Sequence, residues 1–262
     1  MDIIKSKDNS KIRYVRSLSS KKGRDEKNAF IVEGVKFVNE AIYENAHIIS
    51  LIFNENTLNK TNAREIYDFA LKSEIEIVTC EENVFKTVAD TISSQGVLAV
   101  IEMKKNFSTI NDFKFAIMCD RIQDPGNLGT IIRTADAFGP AAVILNKGCV
   151  DEYNPKVVRA SAGAIFRVPF IHSDIDKEMI SKLKESGYAI ISTVVDSEYS
   201  FEDIDMYEKI CLVIGNEGQG VSQEISECSH MNITIKMSGR SESLNASIAA
   251  GISIYEIRKK LL

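Results

Sequence analysis

The stretch CLVIGNEGQGVS (residues 211–222) joins an apolar, β-branched run to a loop with glycines at positions 215, 218 and 220. A short run that is apolar on both faces is typical of a parallel strand covered by helices on either side. Five more such runs occur in the second half of the chain: FAIMC (115–119), AAVILN (141–146), the stretch near IFRVPF (165–170), YAIIST (188–193) and NITIK (232–236). Helical patterns separate them, so this half is predicted to be an α/β domain with a parallel sheet.

The first half alternates strands and helices in the same way. Its predicted strands are AFIVE (29–33), IISLIF (48–53), IEIVT (75–79) and GVLAVIEM (96–103). The polar segment KKNFSTIND (104–112) has no periodicity and is predicted to be a linker. We therefore predict a smaller N-terminal α/β domain over residues 1–103 and a second domain over residues 113–262.

The composition is that of a globular protein: 44% of the 262 residues are hydrophobic and 26% are charged. No apolar run approaches the roughly 20 residues that span a bilayer, and the N-terminus lacks the apolar core of a signal peptide. We expect a cytoplasmic protein with no membrane partner. The five cysteines are scattered without metal-ligand spacing, which predicts buried thiols and no bound metal.

Charge is unevenly distributed along the chain. The formal net charge of −5 argues against a nucleic-acid partner, but residues 1–27 hold nine basic and four acidic side chains. Lys21, Lys22 and Arg24 in this segment are candidate contacts for RNA phosphates. A solvated helical face explains the same run equally well on charge alone.

The glycine-rich loop invites comparison with a dinucleotide-binding site. Its spacing is G-x-x-G-x-G rather than G-x-G-x-x-G, and no acidic residue ends a second strand about 20 residues further on, so a nicotinamide site is disfavoured. The glycines still indicate tight backbone turns that allow a ligand to approach closely. Glu217 is an unusual residue for a loop that is only structural.

Two other segments follow strand ends, where α/β proteins bind ligands. In DRIQDPGNLGTIIRTADAFG (120–139) a turn precedes a helix that carries Arg133, and either a ligand role or a structural salt bridge to Asp136 or Asp120 explains that arginine. In ITIKMSGRSESLNASIAAG (233–251) a loop leads to the last helix, where we expect Ser243 or Ser241 as the cap. Capping by a serine leaves Asn245 unexplained.

In this order the three segments resemble the three motifs of the SpoU (TrmH) family of RNA ribose 2′-O-methyltransferases, within the SPOUT class. FIVEGVKFVNEA (30–41) resembles the N-terminal substrate-binding domain of that family, and VVRASAGAIFRVPF (157–170) the segment between its first two motifs. Lys236 departs from the pattern, because the family commonly has proline there. The matching positions are Asn127, Gly129 and Arg133, then GNEGQG (215–220), then Ile235, Met237, Gly239 and SLNAS (243–247).

The resemblance implies a parallel-sheet SPOUT domain with a trefoil knot and a ribosomal-protein-like N-terminal α/β domain. It also implies a homodimer whose active sites use both subunits. S-adenosylmethionine is the implied cofactor, held largely by backbone groups of the knot loops. The positions that match its binding site are Thr193, Gly215, Gly218, Ile235, Met237 and Leu244.

The resemblance also assigns catalytic positions. Arg133 matches the arginine that the family is usually given as base, but a guanidinium with a pKa above about 12 stays protonated. We therefore expect Arg133 to clamp the adjacent phosphate and the developing alkoxide. Glu217, Ser243 or a substrate phosphate then accepts the proton, while Asn127 and Asn245 orient the ribose and the loop.

The added N-terminal domain favours ribosomal RNA over transfer RNA as the substrate. A catalytically silent RNA-binding protein of the same fold is the alternative from another class. The presence of Arg133, Glu217 and the SLN sequence at 243–245 argues against that alternative.

Overall fold

The computed structural model describes residues 3–58, 60–91, 93–104, 109–173 and 176–261. The chain forms two compact units. The first consists of Met1–Lys105 together with Asp151–Phe166, and the second of Asn106–Val150 together with Arg167–Leu262. Part of the predicted linker, residues 105–108, lies outside the described residues.

A four-stranded mixed sheet forms the centre of the first unit, in the order β1-β4-β2-β3. β4 pairs antiparallel with β1 and β2, whereas β2 and β3 are parallel. All four strands predicted for this half are confirmed. No strand end differs from its predicted position by more than one residue. Their bounds are Ala29–Glu33 (β1), Ile48–Asn54 (β2), Glu76–Cys80 (β3) and Val97–Glu102 (β4).

Helices cover this sheet and begin at polar caps. Asn9 and Ser20 accept hydrogen bonds from the backbone N–H groups of Lys11 and Gly23, which fixes the starts of α1 and α2. Apolar residues of α1 pack with β2, β3 and β4 in one core cluster. The bounds are Ser10–Ser17 (α1), Lys21–Lys27 (α2), Val35–Tyr43 (α3), Thr61–Lys72 (α4), Glu82–Phe85 (α5) and Pro155–Ala160 (α7).

The segment Asp151–Phe166 packs with the first unit although it follows Val150 of the second unit in the sequence. The Phe30 ring lies 4.6 Å from that of Tyr153 and 6.3 Å from that of Phe166, measured between centroids. Arg24 forms an ion pair with Asp151. The predicted domain limits placed this segment in the C-terminal domain, and the contacts differ from that assignment.

The second unit is built on a six-stranded parallel sheet in the order β10-β8-β9-β5-β6-β7. The predicted parallel α/β architecture is confirmed. Two strands differ in position: the segment 164–166 forms a 3₁₀ turn and the strand comes later, while the NITIK strand is only three residues long. The bounds are Phe115–Cys119 (β5), Ala142–Asn146 (β6), Phe170–Ser173 (β7), Tyr188–Thr193 (β8), Lys209–Ile214 (β9) and Met231–Ile233 (β10).

Four helices accompany this sheet: Pro125–Ala137 (α6), Asp176–Glu185 (α8), Gln223–Cys228 (α9) and Ala246–Leu261 (α10). Because all six strands are parallel, the loops that leave their carboxyl ends meet at one edge of the sheet. The three motif segments leave β5, β9 and β10 at this edge. The trefoil knot stays a prediction.

The prediction of buried thiols is confirmed for three of the five cysteines, whereas Cys149 and Cys228 are half-buried. Cys80, Cys119 and Cys211 are buried, and burial raises the pKa of Cys211 to about 12. Among the described residues, no cluster of three or more His, Cys, Asp or Glu side chains could hold a metal ion. In the same part of the chain, no helix combines the length and apolar character needed to cross a membrane.

Candidate active site

One cavity of about 340 Å³ lies at the carboxyl edge of the parallel sheet. This volume falls in the range of roughly 300–1,000 Å³ that is typical of small-molecule sites. Glu217 and Ser243 also line it. All six residues predicted to bind the cofactor line this cavity: Thr193, Gly215, Gly218, Ile235, Met237 and Leu244.

The loop after β9 forms one wall of the cavity. The Asn216 side chain accepts hydrogen bonds from the backbone N–H groups of Gly218 and Gln219, and the Asn216 and Gly220 backbones pair with each other. A Cβ atom on Gly215 would lie 2.1 Å from the Gly220 carbonyl carbon. Gly215 is therefore required by the loop's own backbone, in agreement with the tight turn that the glycines predicted.

The opposite wall comes from the segment after β10. Within the described residues, the backbone groups of Ile235, Met237 and Leu244 form no hydrogen bond, although they flank the cavity. Unpaired backbone donors and acceptors between apolar side chains suit a flat heteroaromatic ring with a polar edge. The Thr193 hydroxyl donates to the Val213 carbonyl oxygen, so its side chain is already engaged. The residues present fit the adenosine part of S-adenosylmethionine.

A chain of side-chain hydrogen bonds joins the three motif segments beside this cavity. Asn245 Nδ2 donates to Asn127 Oδ1 at 2.9 Å, and Asn127 Nδ2 donates to Glu217 Oε1 at 3.0 Å. Glu217 also accepts from the backbone N–H groups of Gln123 and Asp124. The structure thus brings Asn127, Glu217 and Asn245 together, as the resemblance implied.

Asn245 also begins the last helix. Its Oδ1 accepts hydrogen bonds from the Ser247 N–H, the Ser247 hydroxyl and the Ile248 N–H. The expectation that Ser243 or Ser241 would be the cap was wrong, because the helix begins at Ala246. Ser243 is instead exposed and lines the cavity.

The hydrogen bonds to Glu217 affect its acidity. Partial burial alone would raise the pKa of this carboxyl, but the donors from Asn127, Asp124 and Gln123 outweigh burial and lower its pKa below the ordinary value. A carboxylate with a lowered pKa is a weak proton acceptor. Glu217 is therefore suited to holding the loops, and less suited to the role of base.

A second carboxylate, Asp120, was not among the candidates drawn from the sequence. It is fully buried and accepts hydrogen bonds from Asn146 Nδ2 at 2.8 Å and from the Ser222 N–H at 2.6 Å. Arg121 donates to it through Nε at 2.9 Å. These bonds tie β5, β6 and the end of the glycine loop together. The signal in the sequence was a polar residue directly after each of two apolar strands.

Arg133 lies on the exposed side of α6. The structural salt bridge that was the alternative for it does not form, since Asp136 pairs with Arg167 and Asp120 pairs with Arg121. No hydrogen bond or ion pair to Arg133 occurs among the residues that the structure describes. Arg133 does not line the cavity within its own chain.

The basic N-terminal segment differs from its prediction at one residue. Lys21 and Lys22 are exposed, but Arg24 is 2% exposed and donates to Asp151 and to the carbonyl oxygens of Leu18 and Ser19. Arg24 was predicted to contact RNA phosphate. That prediction was wrong, because its guanidinium is buried and bonded inside the first unit.

Two family models match the chain. Residues 114–255 match the SpoU rRNA Methylase family, and residues 9–99 match the MRM3-like substrate binding domain. The first match covers more than half of the chain and includes all three motif segments.

Similar proteins extend over the whole chain. It is 31% identical to a Bacillus subtilis protein, "23S rRNA (guanosine(2553)-2'-O)-methyltransferase RlmP", over 98% of this chain and 100% of that protein. An AdoMet-bound rRNA methyltransferase from Sinorhizobium meliloti is 28% identical, with a TM-score of 0.87 over 100% of this chain and 98% of that chain. The SpoU methyltransferase AviRb from Streptomyces viridochromogenes, also solved with AdoMet, is 25% identical, with a TM-score of 0.85 over 96% of this chain and 98% of that chain. With this geometry and these matches, the chain belongs to the SpoU rRNA methylase family.

Proposed function

We propose that this protein transfers the methyl group of S-adenosylmethionine to a ribose 2′-hydroxyl of ribosomal RNA. The observation that carries the proposal is the Asn245–Asn127–Glu217 hydrogen-bond chain beside the cavity. It joins three motifs that lie far apart in the sequence. The similar proteins include a 23S rRNA 2′-O-methyltransferase and AdoMet-bound enzymes, which supports the same reaction here.

Ribosomal RNA is favoured over transfer RNA as the substrate. The match of residues 9–99 to a substrate-binding domain supports a large folded RNA, as does the ribosomal RNA specificity in the RlmP name. In the first unit, exposed Lys21 and Lys22 supply positive charge that attracts the phosphates of the RNA. With ribosomal RNA as the substrate, we place the reaction in the cytoplasm.

The residues of the chain position the ribose. When bound, S-adenosylmethionine supplies a methyl group on a positively charged sulfur. Arg133 clamps the adjacent phosphate with its planar fork and stabilises the alkoxide that develops on the 2′-oxygen. Asn127 and Asn245, which are hydrogen-bonded to each other, hold the first and third motifs together and orient the ribose. Glu217 holds the loop before α6, through the Gln123 and Asp124 N–H groups, and the Asn127 side chain at the start of that helix.

The proton leaves the 2′-hydroxyl to an acceptor other than Glu217. The lowered pKa of Glu217 makes it a poor base, and its oxygens already accept four hydrogen bonds. Ser243, which lines the cavity, and a phosphate of the substrate are the two remaining candidates.

The functional form is a homodimer. Ile248, Ile252 and Tyr255 are exposed at helical spacing on α10, and exposed Phe138 after α6 contacts the Tyr255 ring. An apolar face of this kind is typical of an interface. It adjoins Ala246 and Ala249, which line the cavity. A second copy on this face completes the site with the partner's Arg133.

The proposal is tested by incubating the purified protein with labelled S-adenosylmethionine and large-subunit ribosomal RNA, and by mapping 2′-O-methyl groups in total RNA with and without the gene. We expect one methylated ribose that disappears when the gene is deleted. A protein that binds RNA and S-adenosylmethionine but transfers no methyl group would favour the silent RNA-binding alternative. Methylation of transfer RNA alone would overturn the choice of substrate.

A further inference from the structure

A second cavity, of about 120 Å³, lies within the first unit. Its floor is apolar, and Phe37 presents the only aromatic side chain among its described lining residues. An enclosed apolar cavity of about 150 Å³ holds a benzene ring, so this smaller cavity, which opens to solvent at exposed Asp90 and Arg159, admits at most one six-membered ring. The apolar lining residues are Val15, Ile31, Val32, Phe37, Val88, Ala89, Pro155 and Val158.

Two arginines stand at the rim of this cavity. Arg16 donates through Nη2 to the Thr87 hydroxyl at 2.9 Å and to the Lys7 carbonyl oxygen at 3.1 Å. Its Nε and Nη1 groups have no partner in the described part of the chain. Arg159 on α7 lies 2.8 Å from Asp90 and is two-fifths exposed. Both guanidinium groups are therefore held in place with donors left to offer.

Two carboxylates also line the cavity, and in the described part of the chain only Asp90, through Oδ1, has an oxygen without a partner. Glu33 accepts hydrogen bonds from the backbone N–H groups of Asp90 and Thr91 and from the Thr91 hydroxyl. Asp90 is paired with Arg159 and is exposed at the rim. The rim thus offers both guanidinium donors and a carboxylate acceptor, while the floor is apolar.

These features match the chemistry of an unstacked nucleobase. Proteins read single-stranded RNA by stacking splayed bases on aromatic rings and by hydrogen bonds to the base edge. Phe37 supplies the ring, while Arg16 and Asp90 supply a donor and an acceptor. The rim residue Ser19 precedes exposed Lys21 and Lys22 by two and three positions, so positive charge for the adjoining phosphates follows in the same segment.

We infer that this cavity holds one unstacked pyrimidine base of the RNA substrate, with Arg16 and Arg159 at its edge. The inference rests on the proposed function, because it assumes that the first unit binds RNA. The volume favours a single ring over the fused rings of a purine. Helix α7 contributes Pro155, Val158 and Arg159 to the lining, which gives the segment 151–166 a role in the substrate site.

The first test fills the cavity. Ala89 lines it, so Ala89→Trp should raise the KM for large-subunit ribosomal RNA at least fivefold, while kcat at saturating RNA and the Kd for S-adenosylmethionine stay unchanged. Leu71→Trp adds the same ring on the exposed face of α4 and is the control. Phe37→Leu keeps the floor apolar without the aromatic face and should also raise KM. An unchanged KM in folded Ala89→Trp and Phe37→Leu would overturn the inference and leave the methyltransferase function intact.

The second test needs no variant to fold. Saturation-transfer NMR on the wild-type protein, with its cofactor site saturated by S-adenosylmethionine, should detect cytidine and uridine 5′-monophosphates, and adenosine and guanosine 5′-monophosphates more weakly or not at all. Equal transfer to the purine nucleotides would overturn the pyrimidine assignment. If the wild-type protein does not methylate RNA, the proposed function is wrong. The nucleotide-binding measurement does not depend on methyl transfer, so the two failures can be told apart.

Discussion

Arg24 on α2 and Arg133 on α6 were both predicted to contact RNA, yet they have opposite environments. Arg24 is buried, with hydrogen bonds to Asp151 and to two backbone carbonyl oxygens. Arg133 is exposed and has no partner among the described residues. A basic residue can therefore bind an outside phosphate only if the protein has not already used its donors.

The contrast between residues already engaged within the protein and residues left free also separates two other pairs of residues, both at the cofactor cavity. Gly215 is required by the backbone of its own loop, whereas a Cβ atom on Gly218 would come no closer than 3.7 Å to its nearest neighbour, Asn216 Oδ1. Glu217 is engaged with four donors, whereas Ser243 faces the cavity without such bonds to any described residue. Mutations that separate engaged groups from free ones test the comparison directly.

The largest expected effect is on stability at Arg24. Arg24→Ala leaves the Asp151 carboxylate, which is only 11% exposed, without its ion-pair partner, so we expect the free energy of unfolding to fall by about 3–5 kcal/mol. Urea denaturation followed by circular dichroism measures this loss. Lys22→Ala, at an exposed position on the same helix, is the control and should change stability by less than about 0.5 kcal/mol. A stable Arg24→Ala protein with weakened RNA binding would show that Arg24 contacts RNA and is not needed for the stability of the first unit.

Arg133 should show the opposite pattern, with activity lost and stability kept. Arg133→Ala should slow methyl transfer by about 10²–10³-fold, because one preorganised donor to the developing alkoxide is lost. Arg133→Lys keeps the charge but lacks the planar fork, so it should also be slow with an unchanged pH profile and unchanged cofactor affinity. Single-turnover rates on saturating RNA separate chemistry from product release. A new lysine-like ionisation in the Arg133→Lys profile would identify Arg133 as a base.

Local patterns predicted much of the fold and the cofactor site. Strands such as FAIMC and YAIIST were found from apolar runs alone, whereas the six cofactor positions, which line one cavity, came from the resemblance of the motifs to the SpoU family. Asp120 was missed because its partners Asn146 and Ser222 lie 26 and 102 positions away. The burial of Arg24 depends on Asp151, 127 positions away. Contacts at such distances along the chain come from tertiary packing, which periodicity does not encode.

The two loop glycines test the comparison within the cofactor site. A Cβ atom on Gly215 would lie 2.1 Å from backbone atoms of the Gly220–Val221 link, so Gly215→Ala should distort the loop, cost about 1–3 kcal/mol and abolish cofactor binding. Gly218→Ala meets only Asn216 Oδ1, at 3.7 Å, and should leave the free energy of unfolding nearly unchanged. Thermal melts and calorimetric titration with S-adenosylmethionine measure both effects. Normal cofactor affinity in folded Gly215→Ala would remove this glycine from the site.

The exposed lysines should produce a smaller effect, limited to RNA binding. Changing Lys21 and Lys22 to glutamate should weaken RNA binding and flatten its salt dependence by a slope of about 0.7–0.9 for each phosphate that the protein no longer neutralises. Cofactor affinity should not change. Binding titrations at several salt concentrations measure the slope. An unaltered slope would mean that these lysines are only a solvated helical face.

The smallest effect is expected at Glu217, where pH dependence distinguishes a structural carboxylate from a base. Glu217→Gln keeps the shape of the side chain but replaces one accepting oxygen with an NH₂ group, so two of the four hydrogen bonds are lost and methyl transfer should slow by about 2- to 10-fold. The lowered pKa means that its contribution is present above the ordinary value of 4.5 and is lost as pH falls through the folded-state value.

Between pH 6 and 9, Glu217 therefore stays ionised, and wild type and Glu217→Gln should have pH–rate profiles of the same shape. Single-turnover rates over that range make the comparison, with Ser243→Ala measured in parallel because Ser243 remains a candidate acceptor. If Glu217 accepted the proton, the glutamine variant would lose both its rate and the rising limb of the profile. That loss would show that a carboxylate with four hydrogen-bond donors still acts as a base, and engagement within the protein would no longer distinguish positioning residues from catalytic ones.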